Sequence, residues 1–241
     1  MSHLSTAVPI FLALVTSCAG RTPGAQPHDM SVASHETTAA EEARVASEHE
    51  QRYDPSAQQR RERCRAGGAR TAADVDTCWS SVTNATAEHL KHGEEHRAHA
   101  ADHRAASQAL RDAEARACVG IPAADRDESP FEHREDIENV EPFYVRQGGK
   151  LPSERLEGAV VAFRAVPGMT APWLQRVVDC HLARNAALGH DVPEMAYCPL
   201  VPKGVTATVA PTRAGFAVEI RSGDSGTAKE ILRRAEGLRA R

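Results

Sequence analysis

The chain has 241 residues, a formal net charge of -4 and only 4% aromatic residues. That length suits one large or two small domains, and the mild charge leaves no electrostatic footprint for nucleic acid. So few aromatics argue against a single generous core.

Taken from the start, Pro9–Val15 (PIFLALV) is an apolar run. It is far shorter than the roughly 20 residues a membrane-spanning helix needs, so it reads as the core of a signal peptide. The run closes on Val15-Thr16-Ser17-Cys18, small residues ahead of a cysteine. This ending resembles the lipobox of bacterial lipoproteins, an export class that carries no functional family with it. The resemblance implies that residues 1–17 are removed as a signal peptide and that Cys18 is lipidated. The chain would then be anchored to a membrane through its lipid and face the periplasm of the cell envelope. Ala19 stands where similar lipoproteins retained at the inner membrane carry aspartate, which favours the outer membrane. Residues 18–37 are rich in Pro, Gly, Ser and Thr and read as a flexible tether with a reach of about 24 Å.

An exported chain can form disulfides. Setting Cys18 aside from the six cysteines leaves Cys64, Cys78, Cys118, Cys180 and Cys198, an odd number, so at least one thiol stays out of an intrachain pair.

Residues 38–120 read as an antiparallel helical hairpin. Helical composition runs from Thr38 to about Cys64 with Pro55 as a kink, the run Ala66-Gly67-Gly68-Ala69 breaks it, and Thr83–Cys118 forms one long helix whose weak spot is Gly93. That register puts Cys64 and Cys78 at the bend, within bridging reach, and Cys118 at the far end. Residues 121–157 form an acidic connector with Phe143–Val145 as an edge strand. Residues 158–241 read as an α+β domain. Ala159–Val166 is a strand, and a helix follows with Thr170 as N-cap, Pro172 in its first turn and Gly189 as its stop. Val205–Val209 and Phe216–Ile220 make a hairpin, and the last helix starts at a Thr227/Glu230 capping box. The fold class is therefore α+β, a helical hairpin plus a small βαββα domain similar to a ferredoxin-like split βαβ sandwich, with Phe143–Val145 available as its missing strand.

The long helix carries His89, His92, His96, His99 and His103 at alternating spacings of three and four, on one face. On the first helix His35, Glu42 and His49 recur every seven residues, so His49 falls opposite His92 or His96 once the hairpin closes. Imidazoles at i and i+4 begin a Zn, Cu or Ni site that the partner helix can complete. The candidate ligands are His49, His89, His92, His96, His99 and His103. Two other readings stand beside it, a polar filling for an alanine-rich seam and a pH sensor of mutually repelling histidines.

In the C-terminal domain a Cys180–Cys198 disulfide would pin the loop His190–Lys203 to the helix. The sharper alternative there is a soft-metal cluster of Met169, Cys180, His181, His190, Met195 and Cys198, against which His181 reads as a satisfied core histidine. No catalytic residue is assigned, since GxSxG, GxxxxGK[ST], HExxH and GxGxxG are all absent. The reading is a non-enzymatic envelope lipoprotein that binds a transition metal through its histidine stripe. The alternatives are a structural or adaptor lipoprotein packing on an envelope protein partner, and an enzyme of unknown class.

Overall fold

Ser31 sets the first helix. Its backbone is extended and its Oγ accepts the N–H of Ser34, so helix α1 (Val32–Arg52) starts with one of its free donors satisfied. The computed structural model describes residues 22–65, 77–148 and 153–239. Cys18, the signal peptide and the glycine break at residues 66–69 lie outside them. Helix α1 begins inside the stretch expected to be tether. Composition alone hid this start, because the Ser and Thr residues that read as coil include an N-cap.

Pro55 does not kink a helix. Helix α1 stops at Arg52, and strands β1 (Gln58–Arg65) and β2 (Thr77–Asn84) form a two-stranded antiparallel ribbon before helix α2 (Ala87–Ala117). Cys64 and Cys78 are cross-strand partners in that ribbon, and Cys78 is disulfide-bonded. The ribbon returns the chain so that α2 packs antiparallel on α1, with His49 beside His89 at one end and His35 beside His103 at the other.

The remainder is a four-stranded antiparallel sheet with helices on one face. Strands β3 (Ile137–Gln147), β4 (Ser153–Arg164), β5 (Thr206–Pro211) and β6 (Gly215–Arg221) take the order β3-β4-β6-β5. Alternation puts Ala159, Val161 and Phe163 of β4 and Val218 and Ile220 of β6 on the buried face. Helices α4 (Ala171–Ala187) and α5 (Ser225–Gly237) cover that face, contributing Leu174, Val178, Ile231 and Ala235 to the core. A short helix α3 (Ala123–Asp127) and the buried Phe131 lead from α2 into the sheet, so the stretch expected as an acidic connector supplies an 11-residue edge strand and part of the core. Thr170 caps α4 as expected, accepting from the N–H of Trp173. Helix α5 differs. Its cap is Asp224, which accepts from the N–H of Thr227, while Glu230 binds Arg233 and Arg234 instead of closing a capping box.

Several contacts tie the helical pair to the sheet unit, among them an ion pair of Glu114 in α2 with Arg184 in α4. Leu110 of α2 packs with Ala186 and Ala187 of α4 and with Val32 of α1. Gly189, in the left-handed region at φ 72°, ends α4 against Ser31, and a Cβ on it would come within 2.8 Å of the Ser31 side chain. One tie is covalent: Cys118, just past α2, is bridged to Cys180 of α4. The Cys180–Cys198 disulfide is therefore corrected. The chain turn at Gly120 and Ile121 brings Cys118 down onto α4, while Cys198 is free and fully buried in the sheet core.

Peptide mapping without reductant should recover Cys118 linked to Cys180, and Cys198 should resist thiol reagents until the chain unfolds. Cys118→Ala should cost about 2–4 kcal/mol in denaturant unfolding. A Cys180–Cys198 peptide would contradict this pairing.

Candidate metal centre

The α1/α2 seam is built from small residues and polar ones in alternation. Helix α1 presents His35, Ala39, Glu42, Ala46 and His49. Helix α2 presents His89, Gly93, His96, Ala100 and His103. Both series step by four and three, the spacing that keeps residues on one helical stripe. Ala39, Ala46 and Ala100 are buried, and a Cβ added to Gly93 would stand 3.3 Å from the carbonyl oxygen of Ala46. Gly93 is thus the point where two backbones approach closely, a packing reason for the glycine that looked like a weak spot.

Between the small residues lie three polar layers. The first is His35 against His103, Nδ1 to Nδ1 at 2.9 Å. Both rings are buried, and one nitrogen must donate while the other accepts, so the pair holds only while at least one ring is neutral. The second is Glu42 against His96, where the ring Nδ1–H donates to the carboxylate Oε2 at 2.6 Å. The third is His49 against His89, Nδ1 to Nδ1 at 3.1 Å.

The middle layer is the one that gathers metal-ligand atoms. His99, one turn beyond His96, puts its Nδ1 3.7 Å from the same Glu42 oxygen. One donor atom from each of Glu42, His96 and His99 lies within 4.8 Å of the other two. Ligands at about 2.0–2.2 Å from a tetrahedral ion stand roughly 3.3 Å apart, so this trio brackets the required spacing. Two imidazoles and one carboxylate suit Zn, Cu or Ni and leave further positions open for water or another ligand. The trio is half-buried, with Glu42 the least exposed side chain at 25%.

The six expected ligands are therefore divided. His96 and His99 share the centre. His49 stacks on His96 at 5.5 Å between ring centroids and touches His92 at 5.4 Å, while His92 also binds Glu95. His89 is held by His49, and His103 is held by His35 a full turn away. Glu42, absent from the expected ligand set, is the acceptor that unites the centre. The signal for it was present: His35, Glu42 and His49 share a seven-residue step with His89, His96 and His103, and an antiparallel pairing aligns the two middle members.

Burial, then repulsion from neighbouring imidazoles, pushes His49 and His103 below the ordinary histidine pKa. His181 is lowered by burial as well. It donates to the carbonyl of Asp125 at 3.1 Å, but its Nδ1 has no hydrogen-bond partner among the described residues, so it is only half satisfied. The soft-metal cluster does not assemble, because Cys180 is consumed by Cys118 and burial raises the Cys198 thiol. No helix among the described residues is long and apolar enough to cross a membrane. No known protein family, curated protein or solved structure matches this chain.

A histidine with a lowered folded pKa binds fewer protons folded than unfolded. Its contribution to stability is complete above the unfolded value near 6.5 and is lost as pH falls through the folded value. The metal-free protein should therefore show a lower urea midpoint at pH 5.5 than at pH 7.5, and His103→Gln should shrink that difference. Equal midpoints at both pH values in the parent would contradict the buried pair.

Proposed function

We propose that this chain is a bacterial envelope lipoprotein that binds a divalent transition-metal ion at Glu42, His96 and His99, buffering or sensing it outside the cytoplasm. The observation that carries the reading is the convergence of those three ligand atoms on one seam. Chemically, an ion replaces the His96 proton now donated to Glu42, and it draws α1 and α2 together across a seam that buries little apolar surface. His49, stacked on His96, limits the rotation of that ring and backs the centre with a neutral imidazole. We read the helical pair with its ribbon as a hairpin. We read the sheet unit as ferredoxin-like, its outer strand β3 supplied from the chain before β4, a reading supported by the order β3-β4-β6-β5.

An adaptor role has its own support. On the β1–β2 ribbon Trp79 and Val82 are 51% and 63% exposed, large apolar side chains offered to solvent beside Arg60, Arg61 and Arg63. A protein partner in the envelope would cover them.

Metal is expected to stabilise the folded protein. At a free concentration of one hundred times Kd the gain is about 2.7 kcal/mol, read as a rise in melting temperature with Zn(II) or Cu(II) at pH 7.5. The rise should vanish at pH 5, where protons compete for the imidazoles. Glu42→Gln, His96→Gln and His99→Gln should each weaken binding at least tenfold, while His133→Gln should leave it unchanged. If His96→Gln responds to metal as the parent does, the seam is a polar filling and the metal reading fails.

Anchoring is read from Cys18 alone. Cys18→Ser should move the protein from the membrane to the soluble periplasmic fraction, and retention of that variant after a salt wash would overturn the lipoprotein reading.

A further inference from the structure

A cleft of about 850 Å³ opens where α2 meets α4 and the loop before β5, and none of the three candidate metal ligands lines it. Its size falls in the range of small-molecule sites. Leu110, Ala113, Leu182, Ala183, Ala186 and Val205 give it an apolar wall drawn from two helices and the loop. The charged and titratable groups on it come from four separate segments: Arg116 of α2, Asp179 of α4, Lys203 and His190 of the loop after α4, and His28 ahead of α1.

The charges do not cancel. Arg184, on the same helix as Asp179, is paired with both Glu114 and Asp127, yet Arg116 and Lys203 have no ion-pair partner among the described residues. Asp179 accepts a hydrogen bond from Gln175 and is the cleft's single carboxylate. With the imidazoles neutral, two cations against one anion leave a net charge of +1 on the lining.

The geometry of His190 adds direction. Among the described residues it is the non-glycine one in the left-handed region, at φ 62°, immediately after Gly189. Its Nδ1–H donates to the carbonyl of Val201 at 2.8 Å, so Nε2 is the nitrogen left for a ligand. His28 and Lys203 line the same cleft as His190, and burial, against the bond to Val201 and aided by those two cationic groups, lowers the His190 pKa. Residues held in sparsely populated backbone regions cluster at ligand sites.

We propose that this cleft binds a single-chain carboxylate amphiphile of the fatty-acid type, its carboxylate set among Arg116, Lys203 and His190 and its chain laid along the wall from Leu110 to Val205. One negative charge matches the +1 lining, and the apolar wall matches the chain. A neutral amphiphile leaves both cations unpaired, and a cationic one adds repulsion.

Calorimetric titration of the full chain carrying Cys18→Ser tests this with decanoate, 1-decanol and decyltrimethylammonium, each below its micelle-forming concentration. Decanoate should bind saturably at one site, decanol at least tenfold more weakly, and the ammonium compound not detectably. Lys203→Glu, at an exposed position that leaves folding intact, should weaken decanoate at least tenfold. Ala113→Trp should block it by filling the wall. His96→Gln, which disables the metal centre, should change nothing, so this cleft and the seam stand or fall separately. Equal binding of all three amphiphiles, decanoate binding unaffected by Lys203→Glu, or a dimer that covers the cleft and excludes decanoate would each overturn the proposal.

Discussion

The close approach of two helix backbones at Ala46 and Gly93 is the constraint on which the rest of the helical pair depends. Only a very small side chain fits at that crossing, and Ala39 and Ala100 are likewise buried in the seam. With the backbones this near, side chains of intermediate length on opposite helices meet tip to tip. Histidine and glutamate have that length, and they fill the alternate positions as three polar layers. Larger apolar residues would force the helices apart and separate Glu42 from His96.

This arrangement has an energetic consequence. Alanine and glycine bury little apolar surface, at roughly 25 cal/mol per Å², so the seam contributes less hydrophobic stabilisation than a leucine-filled one. The pair is held instead from its ends. At one end the ribbon joins the helices, with Cys78 disulfide-bonded. At the other, Leu110 and the Cys118–Cys180 bridge fasten α2 to a sheet unit with a larger apolar core. A seam of this kind is poised to gain from any ion that neutralises its central carboxylate and bridges both helices.

Much of the fold was legible because local chemistry and tertiary context agree there. Thr170, Pro172 and Gly189 bound α4 as their types dictate, and Val218 and Ile220 alternate into the core as a half-buried strand should. The histidine face was legible too, since a three-four spacing survives any helix start. What the sequence hid was non-local. Read locally, Cys180 pairs with Cys198, and only the turn after α2 brings Cys118 to it instead. The Pro55 region reads as a broken helix until the ribbon gives its arginine-rich strand a partner. Glu42 was visible on the right face, but its meeting with His96 depends on the register of two helices, whose close crossing is at Ala46 and Gly93.

The same register decides which histidines form the centre. Glu42, His96 and His99 predict a mixed nitrogen and oxygen environment, whereas the neighbouring His49, His89 and His92 would give nitrogen alone and Cys198 would give sulfur. X-ray absorption at the zinc edge of the loaded protein distinguishes these directly. Two imidazole ligands and a carboxylate oxygen are expected, with one imidazole lost in His96→Gln. A sulfur shell, or three imidazoles unchanged by that substitution, would contradict it.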